Sequence, residues 1–273
     1  MIREPAVAGT FYPAHSATLS ENIQSYLMGA DIDQEFEPLG FIVPHAGYIY
    51  SGPVAAYAFK HLIGKTVRRV IILAPSHFDS FNGISIYPGE GLKTPLGVVN
   101  VDKDARKSLV DEGLVTISQD GFRQEHSLEV QLPFLQSVLE SDWEVVPLVM
   151  GFQNQETIEQ GTRVLSKYID QQSVIVISSD LSHFYPYKMA NDIDSRFCGY
   201  FETGDYEGLW EAYMDKRVEA CGFGPIYAFL SVIKDREDIS CNILDFRNSG
   251  DTAGDKSQVV GYASIGFFWT NQS

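Results

Sequence analysis

Cysteine is scarce in this sequence. The 273 residues include three cysteines, Cys198, Cys221 and Cys241, and no two of them form a Cys-x-x-Cys pair. An odd number of widely spaced thiols excludes the dense disulfide framework of small secreted domains, and the missing pairs exclude a zinc site made of four thiolates. The cysteine content therefore predicts a reducing, cytoplasmic compartment.

Positive charge and long apolar runs are also scarce. The chain has 20 lysines and arginines against 36 acidic residues, so its formal net charge is −16 at pH 7. Because nucleic acids and anionic membranes need a positively charged binding surface, neither is an expected partner. No run approaches the ~20 apolar residues of a membrane span. The first residues, MIREPAVAGTFYP, lack the apolar core of a secretory signal.

Three common active-site signatures are missing as well. The sequence has no Gly-x-x-x-x-Gly-Lys, no Gly-x-Gly-x-x-Gly and no Gly-x-Ser-x-Gly. The first two cradle phosphates at a helix N-terminus, and the third presents a nucleophilic serine. The sequence therefore predicts neither a nucleotide site of these types nor a serine hydrolase.

Histidines are present at informative positions, because three of the six stand just past a short apolar run. The runs and their histidines are 41–43 with His45, 70–74 with His77, and 174–177 with His183. Short β-branched runs are typical of strands that helices cover on both faces. We therefore expect one α/β domain over residues 1–273, with a mainly parallel central sheet flanked by helices. Ligands bind at the carboxyl ends of such strands, so the three imidazoles should share one cleft.

The remaining elements follow from hydrophobic periodicity and turn residues. Helices are predicted over 16–28, over 54–63 with Pro53 in the first turn, and over 192–213 with a break near Gly204. A strand is predicted over 144–150. Two last strands, about 240–246 and 259–269, alternate in a way that favours antiparallel edge positions.

Three other residues are candidates for chemistry. Asp180 stands three residues before His183 and can orient an imidazole or cap a helix. His126 stands at a predicted helix N-terminus, where the dipole would keep an imidazole neutral. Cys221 precedes a helix in a glycine-rich turn, where thiols tend to a low pKa, although a free cysteine is more often a small buried hydrophobe.

Short segments along almost the whole chain match one known family. They are Arg3–Gly9 with Tyr12-Pro13, Pro44–Tyr48, Pro75–His77, Glu125–Glu129, Ser178–His183 and Cys221-Gly222. On these segments the chain resembles the Memo family, whose prokaryotic members are called AmmeMemoRadiSam system protein B. The resemblance implies a fold similar to class III extradiol dioxygenases and metal binding at His45, His77 and Cys221. It also implies that Asp180 and His183 line the same pocket, and the family name implies a functional link to a radical-SAM protein.

These observations predict a metal-binding protein with a redox role. The predicted metal ligands are His45, His77 and Cys221, and the predicted catalytic residues are His183, Asp180 and His126. Two imidazoles and a thiolate suit iron or copper, with zinc as an alternative. Ordinary extradiol dioxygenase activity is not expected, because a thiolate stands where that site has a carboxylate. Two alternatives stay open: a non-catalytic module that binds a peptide or small anion, and a metal-independent thiol enzyme or hydrolase that uses Cys221.

Overall fold

Strands and helices alternate along the chain in the computed structural model, which describes residues 1–32, 36–140 and 142–270. The strands are β1 (Ile2–Arg3), β2 (Glu37–Val43), β3 (Arg69–Pro75), β4 (Ile84–Ile86), β5 (Gly91–Thr94), β6 (Gly97–Asn100), β7 (Thr116–Ile117), β8 (Glu144–Met150), β9 (Ser173–Ser178), β10 (His183–Tyr185), β11 (Ile239–Asn248) and β12 (Val259–Trp269). The helices are α1 (Ser16–Gly29), α2 (Tyr48–Lys60), α3 (Lys103–Asp111), α4 (Leu132–Val138), α5 (Gln155–Leu165), α6 (Tyr187–Thr203), α7 (Tyr206–Met214), α8 (Phe223–Ile233) and α9 (Ser249–Thr252), with 3₁₀ turns at Glu129–Gln131 and Ser166–Tyr168.

The main sheet has nine strands, and its centre is parallel. Its order is β10-β12-β2-β9-β3-β8-β4-β7, with β11 paired to β12. Strands β2, β9, β3 and β8 run parallel, whereas β12 and β4 are antiparallel to their central neighbours. A separate three-stranded sheet joins β1, β5 and β6. The fold is therefore mixed α/β, and its sheet is parallel only in the centre.

Helices cover both faces of the main sheet, because successive strand residues point to opposite sides. Ile42 and Ile175 face one hydrophobic cluster, which includes residues of α5, α6 and α8. Phe41 and Val176 face another, which includes residues of α1, α2 and α4. Both faces are filled by side chains, so the sheet offers a ligand its strand ends rather than its surfaces.

Two predicted features of these elements are wrong. Helix α2 begins at Tyr48, so Pro53 lies inside the helix and not in its first turn. The buried Tyr48 hydroxyl donates to the Val130 carbonyl at 2.6 Å, a distant contact that the local pattern does not contain. Strand β12 is antiparallel but not an edge strand, because β2 pairs with it on one side and β11 on the other.

The predicted break near Gly204 is present between α6 and α7. Gly204 has φ 69°, a left-handed conformation that glycine adopts without steric cost and that ends α6. Within the described ranges, no helix is both long and apolar enough to cross a membrane.

Candidate metal centre

Three adjacent strands deliver polar side chains to one edge of the sheet. His45, His77 and Asp180 each stand two residues after the end of a strand, namely β2, β3 and β9. These strands are neighbours in the order β2-β9-β3 and run parallel, so their carboxyl ends lie together. The sequence places each side chain after its strand, and the sheet order brings the three to one place.

Three imidazoles form a compact group at this edge, here called the histidine cluster. Its members are His45, His77 and His126, each of which offers a nitrogen within 4.8 Å of the other two. Their ring centroids are separated by 5.1 to 5.5 Å. His126 comes from the loop before the 3₁₀ turn Glu129–Gln131. It was predicted as a catalytic residue, and the structure groups it with two of the predicted ligands.

Cys221 lies beside the cluster and contacts His45. Its Sγ is 3.2 Å from His45 Nε2, and the Asp180 backbone N–H donates to the same sulfur at 3.2 Å. Burial, together with the negative charge of Asp180, raises the pKa of the Cys221 thiol. The low pKa expected from a helix N-terminus is therefore not found, because loss of solvent disfavours the thiolate.

The hydrogen bonds of Ser178 fix the tautomer of His45. The Ser178 hydroxyl donates to the Ser127 carbonyl at 2.6 Å and accepts from Gln131 Nε2 at 2.8 Å. Its single proton is thus used, so His45 Nδ1, at 2.8 Å, must be the donor to Ser178 Oγ. Burial and the neighbouring imidazoles hold the pKa of His45 well below its usual value. His45 is therefore neutral, and its Nε2 lone pair faces Cys221.

Glu125 holds His77 and His126 in place, and sequence reasoning did not single it out. Its carboxylate accepts from His77 Nδ1 at 2.9 Å and from the backbone N–H groups of His77 at 2.5 Å, His126 at 3.0 Å and Ser127 at 3.0 Å. Burial alone would raise the pKa of Glu125, but the hydrogen bond and charge of the His77 imidazole, with the backbone N–H groups of His77 and Ser127, lower it to about 2. Burial likewise opposes charge on His77, yet Glu125 raises the pKa of that imidazole. The signal in the sequence was a carboxylate directly before His126.

Asp180 and His183, both predicted as catalytic, lie next to the cluster. Asp180 Oδ1 accepts from the backbone N–H of His45 at 2.7 Å, so it positions the main chain of His45 rather than its ring. Burial raises the pKa of Asp180 to about 7, and burial lowers the pKa of His183. With His126, both residues line a cavity of about 510 Å³. The cavity therefore reaches one member of the cluster, His126.

The N-terminal arm supports the loop that carries His126. The Arg3 guanidinium donates to the carbonyls of Phe122 at 2.6 Å and Glu125 at 2.7 Å, and it also donates to the Glu129 carboxylate. Arg3 and Glu129 are both buried. The arm, which sequence analysis noted only as a matching segment, therefore fixes both sides of the loop around His126.

Comparison with known proteins yields both sequence and structure matches. A family profile described as "Memo-like protein" matches residues 3–266. The chain is similar to a "MEMO1 family protein" of Sulfurisphaera tokodaii, with 38% identity over 98% of this chain and 99% of the relative. Another from Methanosarcina mazei is 36% identical over 97% of this chain and 98% of the relative.

One solved structure is similar in fold. The crystal structure of an uncharacterised protein from Escherichia coli K12 covers 82% of this chain and 98% of its own, with TM-score 0.53 and 13% identity. At that identity the likeness concerns the fold alone.

Proposed function

The chain belongs to the Memo family, and from that premise we propose that it binds a transition-metal ion at the histidine cluster and serves a redox role. The observation that carries the proposal is the convergence of nitrogens from His45, His77 and His126 within 4.8 Å. Iron or copper is the proposed ion, with zinc as the alternative, because imidazole and thiolate donors suit these metals. We also propose that the fold is similar to that of class III extradiol dioxygenases.

The donor atoms fit such an ion. His45 and His77 each donate through Nδ1, to Ser178 at 2.8 Å and to Glu125 at 2.9 Å. In both rings this leaves Nε2 as the nitrogen that would bind an ion. Metal-binding histidines almost always have such a partner on the second nitrogen, which fixes the tautomer and raises ligand basicity. Two of the three imidazoles therefore already have, without an ion, the hydrogen-bond partner that a metal-binding histidine needs.

The third ligand is either His126 or Cys221. The geometry favours His126, whose nitrogen is grouped with those of His45 and His77. The sequence predicted Cys221, and its Sγ lies 3.2 Å from His45 Nε2, close enough to share an ion with that nitrogen. A cation nearby would favour the thiolate and offset the effect of burial on its pKa. We propose that His45 and His77 are ligands in either case. Mutation of His126 and of Cys221 then shows which of the two is the third ligand.

His183 and Asp180 supply acid–base groups beside the proposed metal site. A bound iron or copper ion would supply electron transfer and polarise a ligand on its open side. His183, neutral at pH 7 because burial lowers its pKa, can accept a proton from a ligand in the cavity. Asp180, with its pKa near 7, can hold or release a proton at the same wall. These groups make acid–base chemistry available next to the metal.

Metal titration of matched variants tests the proposal. Protein stripped with a chelator and dialysed should bind about one ferrous, cuprous or zinc ion per chain, because the histidine cluster is one group of donors. His77→Ala should lose most of this affinity, whereas His15→Ala, an exposed histidine elsewhere, should not. Comparing His126→Ala with Cys221→Ser then identifies the third ligand by the larger loss. Equal affinities for His77→Ala and His15→Ala would refute the site.

One observation favours a second function, a thiol enzyme. Cys221 Sγ and His45 Nε2 are 3.2 Å apart, and Ser178 orients the imidazole, which is the arrangement of a nucleophile with its base. Alkylation of metal-free protein by iodoacetamide distinguishes the thiol enzyme from the metal site. A thiolate reactive at pH 6 would favour the enzyme, whereas reaction only above about pH 9 would favour the metal site.

A further inference from the structure

We propose that the cavity beside the histidine cluster binds a small aromatic amine, with Phe184 contacting its ring and Asp255 its ammonium group. The proposal deepens the proposed function and rests on it, since the occupant would lie next to the metal centre. The metal itself is not needed for the contacts that define the ligand class.

The cavity has the size and lining of a small-molecule site. Its volume of about 510 Å³ falls within the range typical of ligand pockets. Its wall includes His126 of the histidine cluster and His183, which lies next to that cluster. The rest of the wall is mainly aromatic and aliphatic, and it includes Phe11, Tyr50 and Tyr262. Such a lining favours a ligand with a flat apolar group that can pack against these rings.

Phe184 stands at the mouth of this cavity in an unusual conformation. Its φ is 63°, in the left-handed region that residues with a side chain seldom occupy, and its side chain is 66% exposed. An exposed ring regains little of this conformational cost by burial in the protein. Its centroid lies 5.7 Å from that of its neighbour His183, and both residues line the cavity. Contact with a ligand ring would bury the exposed surface of Phe184.

The charges around the cavity favour a cation. The exposed Asp255 carboxylate lines it, and among the described residues that line it there is no lysine or arginine. The Asp255 carboxylate accepts from Ser257 N at 2.9 Å and Ser257 Oγ at 2.8 Å, both at Oδ1. The nearby Lys256 has its ammonium 4.2 Å from the centroid of the Tyr187 ring. An ammonium ligand is therefore complementary to the wall, and a carboxylate or phosphate is not.

A pair of ligands with the same ring and opposite charge tests this directly. We would titrate chelator-treated, full-length protein with tyramine and with 4-hydroxyphenylacetate, using calorimetry or ligand-observed NMR. The metal-free state removes any attraction of the anion to an ion in the cluster. Tyramine should bind about tenfold more tightly, since each unit charge at about 4 Å in water changes affinity several-fold. Equal or tighter binding of 4-hydroxyphenylacetate, or binding of neither, would overturn the proposal.

Three variants assign the contacts. Phe184→Ala should weaken tyramine binding about threefold or more, whereas Phe152→Ala, which removes another ring that is 52% exposed, should not. Asp255→Asn should reduce the preference for tyramine over 4-hydroxyphenylacetate. A Phe184→Ala variant indistinguishable from Phe152→Ala would also overturn the proposal. Metal titration of Phe184→Ala distinguishes the amine-binding proposal from the proposed metal-binding function. Unchanged metal affinity with lost tyramine binding supports both. Tyramine binding in a protein that takes no metal refutes only the proposed function.

Discussion

Replacing Glu129 with glutamine tests whether a buried ion pair fixes the N-terminal arm. The Glu129 carboxylate is fully buried and accepts hydrogen bonds from Arg3, from the N–H groups of Ala6 at 2.8 Å and Val7 at 3.0 Å, and from the Tyr12 hydroxyl at 2.6 Å. Glutamine has nearly the same size. It removes the negative charge, however, and turns one acceptor oxygen into an amide donor that faces other donors.

The expected loss of stability is large because the partner charge stays buried. Arg3 is 9% exposed, so after the change its guanidinium would lack a counter-charge in a site with little water. Removing one partner of a buried pair costs about 3–5 kcal/mol. The control is Glu4→Gln, the same change in the same arm. Glu4 pairs with Lys93 at 2.9 Å, but their side chains are 69% and 48% exposed, and such pairs contribute about 0–1 kcal/mol.

Urea denaturation followed by circular dichroism and tryptophan fluorescence measures both variants. With an m-value of about 3 kcal/mol/M, Glu129→Gln should lower the unfolding midpoint by about 1–1.7 M. Glu4→Gln should lower it by less than about 0.3 M. If the two variants have midpoints within about 0.3 M of each other, the Arg3–Glu129 pair does not hold the arm as argued.

Three further predictions concern Asp194, two glycines and Ser178. Burial raises the pKa of Asp194 to about 7 from an ordinary 3.8, so its contribution to stability is full below about pH 4 and is lost as pH rises to about 7. The unfolding midpoint of Asp194→Asn should therefore fall less between pH 5 and 8 than that of the wild type, and parallel curves would contradict this. Gly261→Ala should destabilise by about 1–3 kcal/mol, because the new Cβ would lie 1.8 Å from an Asp194 oxygen. Gly199→Ala, in open space on helix α6, should instead stabilise by about 0.5–1 kcal/mol, and the same denaturation curves compare the two. Ser178→Ala should weaken metal binding about 10–100-fold in a competition with a chelator, because His45 would lose the partner on Nδ1, and unchanged affinity would exclude that role.

Local pattern was enough to locate most of the elements. The predicted strands 144–150 and 259–269 coincide with β8 and β12, and the break near Gly204 separates α6 from α7. Such features depend on neighbouring residues alone: side-chain alternation, apolar runs and a glycine that permits positive φ. The mixed α/β fold followed from the alternation of strand and helix, and the Memo resemblance is confirmed by the family match over residues 3–266.

The composition of the candidate site depended on contacts between distant parts of the chain. The sequence placed His45 and His77 after strands, but only the sheet order made β2, β9 and β3 neighbours. His126 follows no central strand, and it reaches the cluster because Arg3 and Glu125 hold its loop. Which residues act as ligands and catalysts stays a prediction until metal binding is measured.

The sequence by itself determined where each chemical group stands along the chain, and the tertiary structure decided the environment of that group. A cysteine before a helix predicts a low pKa, yet burial of Cys221 raises it. Arg3 and Glu129 are 126 positions apart, and nothing local predicts that they meet. The physical reason is the same in both cases. Propensity and periodicity act over a few residues, whereas desolvation and charge pairing depend on what the fold brings within a few ångströms.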